Sequence, residues 1–187
     1  MNSLKSPKFF NLIILIASLC SFNALIANDT SNEQLYGFIS TNSGMVPTQK
    51  IKGVLLWEDI PYALPPVDDL RWKAPRSFID RESKILPKDY NFCHQEIGGE
   101  IQEIYEMGSE DCLYLDIYAP SKKSEQILPV MFWIHGGGNT RGSSSSVSYD
   151  GANLAYHHDL IVVSINYRLG PLGWFRHPAL RNDSPAD

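Results

Sequence analysis

The hydrophobic and polar positions of this chain change rhythm along its length. Over residues 36–62 short β-prone runs alternate with turn residues: Tyr36-Gly37-Phe38-Ile39, then Gly44, then the run 51–57. That rhythm predicts a β-meander. Pro61, Pro65, Pro66 and Pro75 follow. Each ring fixes φ and removes a backbone donor, so an extended, irregular path is expected there. Residues 113–118 read as a further strand, closed by Pro120. Residues 130–134 and 160–165 are nearly unbroken apolar runs, the pattern of strands covered on both faces. Between them, Asp150 is placed to N-cap a short helix over 152–157. Strand, Gly-rich loop, helix and strand make one crossover unit of a parallel sheet. The expected class is therefore α/β, with an antiparallel meander leading into a parallel sheet. No internal repeat is visible, and the serine patch 143–146 reads as a flexible loop.

Composition bounds this picture without changing it. The 43% hydrophobic and 20% charged content is ordinary for a globular chain, and 187 residues suffice for one core. A formal net charge of −5 argues against nucleic acid as a partner, since phosphate binding needs clustered Lys and Arg. At the N-terminus, Lys5 and Lys8 precede or flank an apolar run over 9–19, and the small residues Ala24 and Ala27 follow. This is the plan of a secretory signal peptide, residues 1–27, cleaved after Ala27. An uncleaved anchor is the alternative, although the run is short for a membrane span. Cys20 invites a lipoprotein reading, but Leu19 before it is bulky for such a site. The expectation is one domain over 28–187, secreted or periplasmic, with no stable membrane span after cleavage.

Cysteine usage agrees with export. Without the leader, Cys93 and Cys112 remain, an even pair for an oxidising compartment. A bond between them would close a loop of about 20 residues, worth about 3 kcal/mol in the chain-entropy picture. Two separate buried thiols are the alternative. With only His94 nearby they fall short of a tetrahedral metal set, and neither metal nor cofactor is expected.

The strongest chemical feature is His135-Gly136-Gly137-Gly138, at the end of the apolar run 130–134. Three glycines allow unusual dihedrals and let bare N–H groups approach a ligand. Ester hydrolysis needs such donors, because its tetrahedral intermediate places charge on the former carbonyl oxygen. A plain Gly-rich turn or a phosphate loop is the competing reading. Neither G-x-x-x-x-G-K-[ST] nor G-x-G-x-x-G occurs, which disfavours phosphate.

Several further blocks resemble a known family. Glu110-Asp111-Cys112-Leu113-Tyr114-Leu115-Asp116-Ile117 is similar to the E-D-C-L-Y-L-N-[IV] signature of the type-B carboxylesterases, the cholinesterase-like α/β-hydrolases. Asn166-Tyr167-Arg168-Leu169-Gly170-Pro171-Leu172-Gly173-Trp174 looks like its N-Y-R-x-G-x-x-G-[FW] segment. Ile60-Pro61-Tyr62-Ala63, Pro65-Pro66 and Leu70-Arg71-Trp72 resemble its N-terminal I-P-Y-A-x-P-P-x-x-x-L-R-F stretch, and Tyr149-Asp150-Gly151 its Y-D-G. The resemblance implies an α/β-hydrolase fold, of which this chain carries the N-terminal portion. It implies hydrolysis of small carboxylic esters through an acyl-enzyme on serine. It casts the Gly137 and Gly138 N–H groups as the oxyanion hole, with His135 and Gly136 as motif support. It pairs Cys93 with Cys112 and Arg71 with Glu110, the latter as a structural ion pair, and makes Arg168 structural.

The chain also departs from the pattern. Asp116 stands where Asn is usual, and Asn139 where a bulky apolar residue is common, which predicts a more polar acyl pocket. No G-x-S-x-G occurs, and Gly142-Ser143-Ser144 lacks the second glycine. The nucleophile, acid and base of the triad are therefore expected beyond Asp187. These residues alone are expected to be inactive, with an exposed apolar sheet edge. A non-catalytic binding or adhesion module of the same fold is the alternative function, and a degenerate short product the third. Adjacent helix positions point about 100° apart, so His157-His158 reads as surface and not as a metal pair. His94 and His177 fall in expected loops without chemical neighbours. Asn28 and Asn182 have N-glycosylation spacing.

Overall fold

The strands expected over 36–62 pair in sequence order. A computed structural model describes residues 34–80, 82–86, 91–97 and 105–181. The signal-peptide segment 1–27, Asn28 and Asn182 lie outside them. In chain order the strands are β1 (Gln34–Thr41), β2 (Gly44–Ile51), β3 (Val54–Pro61), β4 (Gln95–Ile97), β5 (Tyr105–Met107), β6 (Tyr114–Pro120), β7 (Val130–Ile134) and β8 (Ile161–Ile165). The helices are α1 (Ala152–His158) and α2 (Gly170–Trp174). One six-stranded sheet runs β1-β2-β3-β6-β8-β7, and β4-β5 form a separate pair. Along that order the pairs β1–β2, β2–β3, β3–β6 and β6–β8 are antiparallel, and β8–β7 is parallel. An antiparallel meander thus leads into a parallel pair joined by α1, as the sequence rhythm predicts.

α1 covers one face of the sheet. Ala155, wholly buried, packs with Val54, Leu56, Tyr118 and Val162. The approach is close because Gly151, just before the helix, has no side chain; a Cβ there would press on Tyr118 and Val162. At seven residues α1 is too short to persist without this packing. The cap differs from expectation. Gly151 occupies the N-cap position, and Asp150, one residue earlier, still accepts the Ala152 N–H at 2.8 Å. Asp159 closes the helix in the left-handed region, where a short polar side chain is tolerated. His157 and His158 are exposed on its last turn.

A second cluster gathers Ala63, Leu113 and Leu169 around a disulfide between Cys93 and Cys112. Beside it, Arg71 donates two hydrogen bonds to Glu110, Nε to Oε2 at 2.6 Å and Nη2 to Oε1 at 2.7 Å. This bidentate clamp ties the proline-rich stretch to the segment that enters β6.

The apolar run of β7 does not have the environment its composition predicts. β7 is the end strand of the sheet among the described residues, and Val130, Phe132 and Ile134 are each more than half exposed. Composition reports what a strand can tolerate on its faces; position in the sheet decides what covers it. The inner strand β8 buries Val162 and Ser164 and leaves the alternate positions half-covered.

Candidate active site

The glycine motif leaves β7 as a tight loop. Gly137, Gly138 and Asn139 all have positive φ, at 121°, 63° and 61°. Gly137 must be glycine on a second ground, because a Cβ there would collide with the Arg141 carbonyl. The Gly137 carbonyl points into the loop and accepts the N–H groups of Thr140 at 3.2 Å and Arg141 at 3.3 Å. Separately, no carbonyl among the described residues accepts the N–H of Gly137 or of Gly138. A cleft of about 530 Å³ opens beside the loop, lined by Tyr62, His135, Gly136, Gly138, Asn139 and Trp174 among others.

His135 is buried at the start of the loop. It is 2% exposed, and its ring stacks on Tyr167 with centroids 4.4 Å apart. Nδ1 faces the Gly136 carbonyl at 2.8 Å, so Nδ1 bears the hydrogen. The Tyr167 hydroxyl in turn donates to the His135 carbonyl at 2.8 Å. Arg168 lines the same cleft, half-buried, and burial lowers its pKa from the usual value. Tyr62 donates to the Asn166 carbonyl at 2.7 Å; burial pushes its pKa up to about 12, which keeps the phenol neutral. Asn139 is held by its backbone, its carbonyl accepting the Gly170 N–H at 2.7 Å.

Two constraints on the loop went unseen in the sequence. The serine patch is not simply flexible: Ser144 is 2% exposed and anchored. Its hydroxyl donates to Asp116 Oδ2 at 2.9 Å, and its N–H donates to Asn166 Oδ1 at 2.9 Å. The Asn166 amide donates to the Asn91 carbonyl, and Asn91 donates to Asp59 Oδ1. A bulge between Trp57 and Ile60 gives Asp59 a positive φ of 57°, and the Asp59 N–H closes the ring on Asp116 Oδ1 at 3.1 Å. The second constraint is Gln95, which hydrogen-bonds both the N–H and the carbonyl of Gly142. His94 and His177 do not line this cleft, and the described residues contain no group of three or more His, Cys, Asp or Glu side chains that could hold a metal ion.

A carboxylesterase family model matches residues 32–182. The chain belongs to the carboxylesterase family. Over 152 residues it is 40% identical to para-nitrobenzyl esterase of Bacillus subtilis, covering 80% of this chain and 31% of that protein. It is 33% identical over 195 residues to acetylcholinesterase-1 of Trittame loki, covering 97% of this chain and 34% of the relative. A solved PNB esterase structure superposes with a TM-score of 0.67 at 39% identity, over 77% of this chain and 30% of that one. The fold is thus that of the α/β-hydrolase esterases. The chain spans about a third of the length of these relatives, 31% and 34%.

Proposed function

We propose that this protein hydrolyses small carboxylic esters, with the Gly137 and Gly138 N–H groups as its oxyanion hole. The observation that carries this reading is that pair of donors, unengaged by the chain's own carbonyls and held at positive φ beside a cleft. Such donors stabilise charge that develops only as the carbonyl is attacked, so they lower the barrier and not merely the binding energy.

In the proposed reaction a serine Oγ attacks the ester carbonyl while a histidine takes its proton. The C=O π pair moves onto the oxygen facing Gly137 and Gly138. Collapse of the tetrahedral adduct expels the alcohol, which receives the proton from histidine, and leaves an acyl-serine. Water repeats the sequence and releases the acid. No G-x-S-x-G occurs in the 187 residues, so these residues by themselves are proposed to be inactive. The serine, acid and histidine would come from chain beyond Asp187. Export to a secreted or periplasmic location fits the leader-like residues 1–27 and the Cys93–Cys112 disulfide. No helix among the described residues is long and apolar enough to cross a membrane.

The product of the complete reading frame should release p-nitrophenol from p-nitrophenyl acetate and take up one fluorophosphonate label per chain. The 187-residue chain should do neither. A complete product that neither turns over the ester nor takes the label would overturn the proposal and favour a binding module.

A further inference from the structure

We propose that Gln95 is the positioning residue of the oxyanion loop, tying the loop's far end to the disulfide-bonded segment. The inference rests on the oxyanion reading above. Gln95 is 7% exposed, and both its Nε2 hydrogens and its Oε1 are engaged. Nε2 donates to the Gly142 carbonyl at 2.9 Å and to the Cys93 carbonyl at 3.0 Å. Oε1 accepts the Gly142 N–H at 2.8 Å. One side chain thus pairs with both backbone groups of one residue, as a neighbouring strand would, across 47 positions of sequence.

Gly142 is where such a hold has the most effect. Its φ is +122°, and a Cβ there would meet the His135 ring and the Gly136 carbonyl. The loop therefore closes on its own start, and what fixes Gly142 also fixes Gly136. Between these ends the Gly137 carbonyl gathers Thr140 and Arg141, so the segment turns as one piece. Gln95 does not line the cleft beside Gly138. Its effect on an ester would pass through the loop. The chemistry selects glutamine: ionised Glu accepts the Gly142 N–H but cannot donate to two carbonyls, and Asn is one methylene shorter.

The test uses the complete enzyme and p-nitrophenyl acetate. Gln95→Met keeps length and removes every hydrogen bond. It should lower kcat about 10- to 100-fold, with KM changed less than about threefold, because loop misplacement weakens only transition-state contacts. Gln95→Glu supplies a second readout, since a neutral carboxyl regains a donor. Its kcat relative to wild type should rise about tenfold between pH 8 and pH 5. This variant carries the test if Gln95→Met does not fold. A Met variant within about twofold of wild-type kcat, or a Glu variant whose relative kcat is independent of pH, overturns the proposal. If the wild-type enzyme hydrolyses no ester, the proposed function falls and hydrogen exchange decides this inference separately. Exchange over residues 136–142 should then be about tenfold faster in Gln95→Met with β8 unchanged, and equal exchange overturns it.

Discussion

At the scale of single residues, Asp116 shows how a buried polar ring is held together and what it costs. Its carboxyl is 6% exposed, and burial pushes its pKa from 3.8 up to about 6. Hydrogen bonds from the Asp59 N–H and the Ser144 hydroxyl pull the other way without overcoming burial. A carboxyl whose pKa is raised on folding favours the fold most when protonated. That advantage is full below about pH 4 and is lost as pH rises through about 6. The loss is on the order of 3 kcal/mol, at about 1.4 kcal/mol per pKa unit. Asn at this position keeps an acceptor for the Asp59 N–H and gains a donor for the Ser144 oxygen. Asp116→Asn should therefore raise the Tm of the complete protein at pH 8, leave it nearly unchanged at pH 4, and flatten its pH dependence. Equal Tm shifts at both pH values would contradict this cause. The sequence marks Asp116 as a departure from the family pattern, but not as a member of a ring. Asn166 and Asn91 are 75 positions apart, and Ser144 lies in a run of four serines that reads as loop. Contacts between residues so far apart leave no periodic signal. The glycines are the opposite case, because the need for positive φ at Gly137 and Gly138 shows directly in residue type.

At the scale of elements, the meander, the β7–α1–β8 crossover and the glycine loop were all legible, since each is a local pattern of period or turn. For β7 the sequence supports two expectations, cover on both faces from its composition and an exposed apolar sheet edge, and only the second matches. An apolar strand reads as covered on both faces, whereas here it has β8 on one side and exposes Val130, Phe132 and Ile134. An open apolar edge offers both unpaired backbone groups and greasy side chains to another copy. The 187-residue chain should consequently self-associate as its concentration rises. Phe132→Lys should reduce that association in sedimentation velocity, because charge on an edge strand opposes pairing. A wild-type chain that stays monomeric across a hundredfold range of about 1–100 μM would show that this edge is not sticky.

At the scale of the whole molecule, the disulfide, the Arg71–Glu110 clamp and Gln95 draw one region together around the glycine loop after β7. The bond between Cys93 and Cys112 spans 19 positions. Its reduction should lower stability by about 3 kcal/mol. Because Gln95 also grips the Cys93 carbonyl, activity should fall before unfolding begins, at a denaturant concentration where circular dichroism is unchanged. Parallel loss of activity and circular dichroism would mean that the disulfide acts on stability alone. Whether the loop after β7 holds the transition-state oxygen is tested by the kcat of Gly137→Ala in the complete enzyme. A Cβ there collides with the Arg141 carbonyl, so the Gly137 and Gly138 N–H groups must shift. If the loop has this role, kcat should fall about 10²- to 10³-fold, with KM nearly constant and a Tm high enough to keep the enzyme folded during assay. A folded Gly137→Ala enzyme with kcat within about threefold of wild type would contradict it.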